Sequence, residues 1–451
     1  MTRLALLFLL ASPVLAQPGA PPDTFELATL REASSTQDPR ALQPELYARA
    51  TALRLENLRA RRLPQLALTG QATLQSNVPS IPIVAPDGTS PAPPHEQARA
   101  QIEADWALFD GGRLSRQADV ERARLAEQTA GVAVSLYSLR EATTEAFFGA
   151  LWMQSQAQTL ELAVQDLEAR LDLVRTQARE GAALASDAAA IEAEVIRVRQ
   201  RVAEANAQRI ASLAVLRDLT GLAISPEDAL VLPALDDEID LNRQRGAVLD
   251  TDELTDALQG TVRPEFARFS RMQDRAHAEA RMARAATQPS VSLFGQAGVG
   301  RPSPFDFLSD DVSEYALVGV RVRWSPFDWG QSRRNAEAAR VQADIARTEA
   351  DAFAQGLRRQ LETNLADLDR LDATHEQDAR VTALREEILR VTTRQLDEGV
   401  TLAPAYVDVL TDVTEARLTA ARHQIERVRA QTRLLSTLGL FPEAPVSPLD
   451  R

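Results

Sequence analysis

Residues 106–112 read WALFDGG, and residues 324–330 read WSPFDWG. A segment of alternating polarity precedes each copy, and a long run without proline, rich in Ala, Arg, Glu and Leu, follows it. Alternation predicts a strand and the long run predicts a helix, so each copy marks a corner where a strand becomes a helix at the glycine. The residues that we expect to form these corners are Trp106, Phe109, Gly112, Trp324, Phe327 and Gly330.

The two corners belong to an internal duplication. Positions 106 and 324 are 218 residues apart, and the same separation of 218 relates Gly181 to Gly399 and Gly221 to Gly439. A spacing held over more than a hundred residues indicates a repeated structural unit. The predicted divisions are a signal peptide (1–16), a first repeat (17–222), an acidic connector (223–262), a second repeat (263–440) and a C-terminal tail (441–451).

The first 16 residues have the pattern of a secretory signal peptide. Arg3 precedes a short apolar run, and small or apolar residues stand before the predicted cleavage site after Ala16. An N-terminal helix that is retained is the alternative. The chain has no cysteine, which excludes a disulfide framework, a thiolate metal site and a lipid anchor on an N-terminal cysteine. We therefore expect an exported protein without a lipid anchor.

Charge and motifs argue against several functional classes. The net charge of −14 disfavours nucleic acid as a partner. The four histidines are scattered and do not have metal-ligand spacing. The chain also lacks a Gly-rich phosphate loop and a nucleophile motif such as GxSxG. We therefore expect no metal site, no cofactor and no enzymatic activity.

Four segments alternate between apolar and polar residues and predict two hairpins. The clearest is the second, in which alternate residues from Ala98 to Leu108 are apolar and those between them, from Arg99 to Asp105, are polar or charged. A charged face opposite an apolar face that ends in Trp and Phe is typical of a membrane strand with lipid outside and water inside. A soluble sheet would also alternate. The predicted strands lie at about 66–74, 98–108, 291–299 and 316–324.

Four strands are too few to close a membrane barrel around a lumen. Open strand edges in lipid would leave backbone donors and acceptors unpaired, at a cost of several kcal/mol each. The pattern therefore predicts an oligomer. A dimer would supply eight strands and a filled lumen, whereas a trimer would supply twelve and leave a pore.

Long helices follow both corners. The runs Arg113–Arg179 and Gln331–Asp397 each predict a helix of roughly 100 Å, with a return helix of about 36 residues after each tip. Apolar residues recur at coiled-coil spacing, so we expect each repeat to end as an antiparallel coiled-coil hairpin. The predicted seams are Leu160, Val164, Leu167, Leu171 and Val174 against Ile191, Val195, Val198, Val202 and Ala205, and Val381, Leu384, Ile388 and Val391 against Val409, Val413, Ala416 and Ala420.

The shorter segments complete the helical layer. Residues 17–40 predict an extended leader, and residues 42–62 predict a helix that Pro64 ends. Because the return helices are shorter than the outgoing ones, two short helices are expected to stack end to end beside each long one. The connector is expected to lie on the outside of this layer.

Taken in this order and spacing, these features resemble the TolC family of outer-membrane channel proteins. The resemblance covers nearly the whole mature chain and includes the corners, the tip glycines and the LTGL and TLGL stretches at 219–222 and 437–440. It implies a mainly helical chain with a β-barrel part: a homotrimer whose twelve strands form an outer-membrane barrel, continued by a periplasmic helical tunnel. It further implies a passive exit duct in the outer membrane of a Gram-negative bacterium, surrounded by outer-membrane lipid and docked on a periplasmic adaptor and an inner-membrane pump. A periplasmic coiled-coil adaptor or scaffold without a channel is the alternative.

The same resemblance implies roles for the hairpin tips. Gly181, Leu184, Gly399 and Leu402 would contact the adaptor. Asp187 matches the tip aspartate of the first repeat, whereas in the second repeat Ala405 occupies the first aspartate position and Asp408 the second. Leu396 and Thr401 replace the tyrosine and arginine that latch some members.

The negative charge of the aspartates near the tips suggests a role independent of the resemblance. Asp408 and Asp412 are one helical turn apart, and three copies of each would form a negative collar that favours cations at the tunnel mouth. The alternative is that Asp187 caps a helix N-terminus and that Asp408 and Asp412 are solvated surface residues.

Overall fold

The structure, a computed structural model, describes residues 23–78, 92–235, 263–305 and 310–440. The first repeat contains β1 (Thr24–Phe25), α1 (Leu27–Gln37), a 3₁₀ turn (Pro39–Leu42), α2 (Gln43–Ala60), β2 (Gln65–Leu74), β3 (Glu96–Phe109), α3 (Arg113–Arg179) and α4 (Ala185–Thr220). After β4 (Ala229–Leu230), the second repeat contains α5 (Pro264–Ala285), β5 (Ser290–Arg301), β6 (Ser313–Arg323), α6 (Gln331–Asp397) and α7 (Ala403–Thr437). The predicted signal peptide, most of the connector and the C-terminal tail lie outside the described residues.

The predicted long helices are confirmed residue for residue. Both α3 and α6 contain 67 residues, and each begins after a glycine in the left-handed region, Gly112 at φ 78° and Gly330 at φ 77°. The return helices contain 36 and 35 residues. Within the described ranges, none of these helices is apolar enough over a sufficient length to cross a bilayer.

The four predicted strands form one antiparallel sheet in the order β2-β3-β5-β6. Its register places the apolar faces of all four strands on the same side. One transverse row shows this: Leu68 pairs with Ile102, Ile102 with Ala297, and Ala297 with Ala316. The two hairpins therefore share one continuous apolar face, and the charged residues share the opposite face.

A β-bulge corrects one detail of the strand prediction. Ala107 pairs with Ser292 and Phe109 pairs with Val291, so Leu108 is the extra residue of β3. The prediction that Leu108 continues the apolar row is wrong, because the bulge shifts the register by one residue. Phe109 takes that place instead, opposite the apolar Val291.

The helical layer is organised around α3 and α6. The α3 helix packs against α1, α2, α4 and α5, and α6 packs against α5 and α7. The largest apolar cluster lies where the short and long helices meet, and the edge-to-face pair Phe147 and Phe148, with ring centroids 5.4 Å apart, is completely buried in it. Short helices therefore lie beside the long ones, as predicted.

The predicted extended leader is wrong for its described part. Residues 27–37 form α1, because Leu27 and Leu30 lie on one face of that helix and are only 4% and 0% exposed in the main apolar cluster. The short strand β1 before it pairs in parallel with β4 of the connector. Burial of this face against α3 and α4 stabilises the helix.

The two hairpins have different seams. In the first, the predicted α3 and α4 seams are confirmed: Leu160, Leu167, Ile191 and Val198 are at most 4% exposed and share one apolar cluster. In the second, the predicted α6 seam is wrong, because its four apolar residues are 40–59% exposed. Polar contacts join α6 to α7 there instead: the ion pairs Asp372–Arg427, Arg385–Asp412 and Glu386–Arg417, and a hydrogen bond between His423 and Asp378.

Candidate functional site

Both hairpin tips have the same backbone geometry. Gly181 (φ 78°) and Gly399 (φ 70°) end the outgoing helices in the left-handed conformation. In each tip the next amide donates a 2.8 Å hydrogen bond to a helix carbonyl, from Ala182 to Gln177 and from Val400 to Gln395. This arrangement satisfies carbonyl groups at the helix end and requires a residue that tolerates positive φ. The leucines that follow, Leu184 and Leu402, are 57% and 58% exposed.

Asp187 joins the two tips. Its side chain is buried, with the residue 6% exposed, and one carboxylate oxygen accepts the backbone N–H of Leu184 at 3.3 Å. The other oxygen accepts the N–H of Ala403, the first residue of α7, also at 3.3 Å. A carboxylate at two helix N-termini satisfies unpaired N–H groups and is stabilised by both helix dipoles. The capping interpretation of Asp187 therefore has direct geometric support.

A second link between the hairpins lies deeper along the coiled coil. Arg170 of α3, 7% exposed, forms a 2.6 Å ion pair with Asp397 and donates a 3.3 Å hydrogen bond to the carbonyl of Thr393. Its guanidinium also lies 5.4 Å from the ring centroid of Tyr406. Burial raises the pKa of Tyr406, and the charge of Arg170 opposes that rise.

Sequence reasoning did not identify Arg170 or Tyr406. The available signal was an arginine between the seam leucines Leu167 and Leu171, at a position that the fold buries. The fold brings this arginine and this tyrosine, from different hairpins, together near the tips.

The two other predicted aspartates differ from Asp187. Asp408 is exposed on α7. The pKa of Arg197 on α4 is raised, mainly by its hydrogen bond with Glu194, and the negative charges of Glu415 and Asp408 contribute to this rise. Asp412 is half-exposed and forms an ion pair with Arg385 of α6. Among the described residues, no hydrogen bond joins either side chain to Asp187. A single chain thus brings Asp187 and Arg170 to the contact between hairpins and leaves Asp408 open to solvent.

The two strand-to-helix corners are built by an aspartate. Asp110 accepts the N–H groups of Gly112 and Leu114 at 2.9 and 2.7 Å, and Asp328 accepts those of Gly330 and Ser332 at 3.0 and 2.8 Å. Bonds from Ser332, from its side chain and its backbone, lower the pKa of Asp328. The helices therefore start at fixed points, because a carboxylate satisfies their first donors.

The glycines of the first corner provide a matched pair of tests. A methyl group on Gly111 (φ 67°) would lie 2.5 Å from Cβ of Gln288, whereas one on Gly112 (φ 78°) would meet nothing within 4 Å. We expect Gly112→Ala to cost about 1–2 kcal/mol of stability from the left-handed backbone alone. Gly111→Ala is expected to cost about 1–3 kcal/mol more from the overlap. Thermal unfolding of both variants in detergent measures the difference, and equal losses would contradict the close contact.

Exposed aromatic side chains surround the corners. Trp106 and Phe109 are 40% and 52% exposed, and the Trp106 indole N–H donates a 2.9 Å hydrogen bond to the carbonyl of Arg62. At the second corner Trp324 and Phe327 are 61% and 71% exposed. Trp329, which the sequence analysis did not select, is 80% exposed, has φ 55° where the first corner has Gly111, and contacts Phe327 edge-on. Such a concentration of exposed aromatic rings is typical of a membrane interface.

A family model described as outer membrane efflux protein matches residues 37–222 and 261–440 of the chain. These two segments contain both corners, all four strands of the sheet and both coiled-coil hairpins. The gap between them falls within the predicted acidic connector. No curated protein matches the chain.

Solved structures of outer-membrane channels share the fold. A membrane protein from Pseudomonas aeruginosa aligns with a TM-score of 0.66 at 17% identity, covering 93% of this chain and 92% of that one. The MtrE outer membrane channel of Neisseria gonorrhoeae in its open state aligns with a TM-score of 0.63 at 18% identity, covering 92% of this chain and 89% of that one. The outer membrane protein VceC of Vibrio cholerae aligns with a TM-score of 0.62 at 13% identity, covering 92% of this chain and 96% of that one. At these identities the likeness establishes the fold.

Proposed function

Because this chain belongs to the outer membrane efflux protein family, we propose that three copies of it form the exit duct through which an efflux or secretion system discharges its cargo. The chain is an outer-membrane efflux protein, and its family is not a class of enzymes. The observation that carries the proposal is the four-stranded sheet, whose apolar face runs unbroken across both repeats. A periplasmic adaptor or scaffold has no use for such a face, so the family match and the sheet together argue against that alternative.

The trimer is supported by the two edges of the sheet. Within the described residues, β2 and β6 each pair on one side only. An unpaired edge in lipid leaves its N–H and C=O groups without partners, and closure into a barrel removes both edges. Joining β6 of one copy to β2 of the next closes a ring. Three copies supply twelve strands and a lumen wide enough for water, whereas two would supply only eight.

Placement in the membrane follows from the two faces of the sheet. Leu66, Leu68, Val318, Val320 and Val322 are 62–81% exposed in the single chain, and in the proposed barrel they face lipid. The aromatic residues of the corners then mark the periplasmic boundary of the bilayer. We further propose that residues 1–16 are a cleaved signal peptide, because Arg3 and a short apolar run precede the expected cleavage site.

The tips form the proposed tunnel entrance. We assign Asp187 and Arg170 to hold neighbouring hairpins together, and Asp408 and Asp412 to a negative collar around the mouth. Of the two collar residues, Asp408 contributes more to the negative potential at the tunnel mouth, because the ion pair with Arg385 offsets much of the charge of Asp412. The exposed Leu184 and Leu402, next to the tip glycines, supply apolar contact area for a periplasmic adaptor, which would connect the duct to an inner-membrane pump.

Single-channel recording in a planar bilayer tests this function with the detergent-purified mature protein. We expect discrete, cation-selective current steps. Asp408→Asn should reduce the preference for cations clearly and Asp412→Asn only slightly, because the second charge is already paired. A matched control is Asp344→Asn, an exposed aspartate far along α6 from the tip that pairs with Arg347 of its own helix. A protein that stays soluble without detergent and gives no current would overturn the duct.

A further inference from the structure

Exposed arginines flank the sheet at the end where its strands join the helices. Three stand at the end of α2 and two in the first turn of α6, and no acidic residue occurs from 57 to 66 or from 329 to 336. In the part of the chain that the structure describes, none of the five forms an ion pair. Positive charge is thus concentrated here in a chain whose net charge is −14. We call these residues the basic flank: Arg59, Arg61, Arg62, Arg333 and Arg334.

The basic flank lies level with the exposed aromatic side chains of the corners. The Trp106 indole donates its hydrogen bond to the carbonyl of Arg62, and the Arg334 guanidinium donates a 2.9 Å hydrogen bond to the carbonyl of Trp329. Tryptophan rings at a membrane surface lie among the lipid headgroups. The headgroup layer is roughly 5–7 Å thick on each side of the bilayer, and one helical turn rises about 5.4 Å. In the proposed barrel, the basic flank therefore lies within the headgroup layer.

Closure of the barrel brings the two parts of the basic flank together. The β2 strand begins and the β6 strand ends at the same end of the sheet. When β6 of one copy pairs with β2 of the next, the end of α2 in one copy lies beside the start of α6 in the other. Each of the three seams then gathers five arginines from two chains. Like charges across an interface repel, so an anion between them strengthens the contact.

We propose that each seam binds phosphate groups of anionic phospholipids in the leaflet that faces the periplasm, and that these lipids help to hold the three copies together. The proposal rests on the trimeric barrel proposed above. A guanidinium can donate two parallel hydrogen bonds to one phosphate group. Phospholipid is the source of phosphate that this position favours, because the arginines lie beside aromatic rings typical of a membrane surface. Each arginine near an anionic membrane surface favours binding about fivefold.

Tryptophan fluorescence can report which lipid lies at the seam. Three of the four tryptophans are at the corners, and the fourth, Trp152, lies on α3 roughly 60 Å from its corner, out of reach of lipid. With the protein in phosphatidylcholine vesicles, brominated phosphatidylglycerol should quench this fluorescence at about fivefold lower concentration than brominated phosphatidylcholine. The preference should disappear in a variant that carries Arg61→Gln with Arg333→Gln. Among the described residues, neither of these side chains forms a hydrogen bond or an ion pair, so the variant should fold normally.

The matched control carries Arg380→Gln with Arg394→Gln. Both of these arginines are exposed on α6, and Arg380 lies roughly 70 Å along the helix from Arg333. The control loses the same charge as the test variant, but far from the bilayer. It should keep the preference of the wild type for phosphatidylglycerol.

Thermal dissociation of the detergent-solubilised trimer gives a second readout, in which the sign of the effect is informative. Without added lipid, the Arg61→Gln/Arg333→Gln trimer should dissociate at a higher temperature than the wild type, because each seam has lost two like charges. Phosphatidylglycerol should raise the dissociation temperature of the wild type and close this gap, whereas phosphatidylcholine should not. A purely structural role of the two arginines predicts the opposite sign, with the variant dissociating first.

The outcomes separate the lipid site from the duct. Equal quenching by both lipids in a wild type that still conducts would overturn the lipid site and leave the duct standing. If inorganic phosphate raised the dissociation temperature as much as phosphatidylglycerol does, the seam would be a site for free anions and the lipid assignment would be wrong. A protein that is monomeric in detergent and gives no current would overturn the duct and the lipid site together.

Discussion

Replacement of Arg170 by alanine is expected to open the channel. The guanidinium connects α3 to the end of α6 through Asp397 and Thr393 and to the start of α7 through Tyr406. Because Asp397 is 44% exposed, solvent screens part of this interaction, and we expect its loss to cost the closed arrangement about 1–3 kcal/mol in each chain. As 1.4 kcal/mol is a factor of ten, the ratio of closed to open hairpins should fall by about five- to 140-fold per chain.

Planar-bilayer recordings measure this effect. We expect the Arg170→Ala channel to open more often and to have a larger mean conductance than the wild type. Arg175→Ala is the control: this arginine lies five residues further along α3 and forms a 2.8 Å ion pair with Glu192, within the first hairpin. Arg175 carries the same charge as Arg170, and its partner Glu192 is about as exposed as Asp397. Because Arg175 does not connect the two hairpins, its removal should leave gating unchanged. If Arg175→Ala opened the channel as much as Arg170→Ala, general loss of charge near the tip would explain both.

Replacement of Arg263 by methionine is expected to cause the largest loss of stability. The guanidinium, in a residue 6% exposed, donates 2.9 and 3.4 Å hydrogen bonds to the carbonyls of Ser436 and Thr437 and forms a 2.7 Å ion pair with Glu265. It also lies 4.8 Å from the ring centroid of Tyr137, whose pKa burial raises to about 12. One side chain thus connects the start of α5 to α3 and to the end of α7.

Its removal leaves the Thr437 carbonyl and the mostly buried Glu265 carboxylate without this donor, while the Ser436 carbonyl still accepts the Tyr137 hydroxyl and the Gly439 N–H. Breaking a buried pair in this way costs about 3–5 kcal/mol. The matched control is Arg271→Met on the same helix, whose ion pair with Asp274 is 53% exposed on both sides and is worth at most about 1 kcal/mol. Denaturant titration in detergent, followed by helical circular dichroism, compares the two. Similar losses for both variants would contradict a structural role for Arg263.

Much of the architecture was predictable because it depends on local or periodic features. The 218-residue spacing, the two-residue period of the strands and the proline-free runs each reflect backbone geometry that neighbouring residues impose. For this reason the bounds of α3 and α6 and the four strands were predicted correctly. The register that puts Leu68, Ile102, Ala297 and Ala316 in one row follows from the same alternation, since a shift of one residue would turn an apolar face toward the charged side.

The tip constellation was only partly predictable. Gly181, Gly399 and Asp187 follow from helix-end chemistry, because positive φ and unpaired N–H groups restrict which residues can stand there. Arg170 and Tyr406 are 236 positions apart, and no local pattern brings them together. Their contact exists because the two hairpins pack side by side with a particular rotation about their axes.

The sequence by itself determined the duplication, the strands, the long helices and the tips of this protein, because each depends on residues a few positions apart. Only the tertiary structure decided which apolar stripes are seams. Val381 and Ile388 follow the same heptad rule as Leu160 and Leu167, yet the latter are buried within their hairpin and the former are exposed. Periodicity specifies that a helix has an apolar face, but the rotation of the packed helices, with ion pairs on the other face of α6, specifies what that face meets.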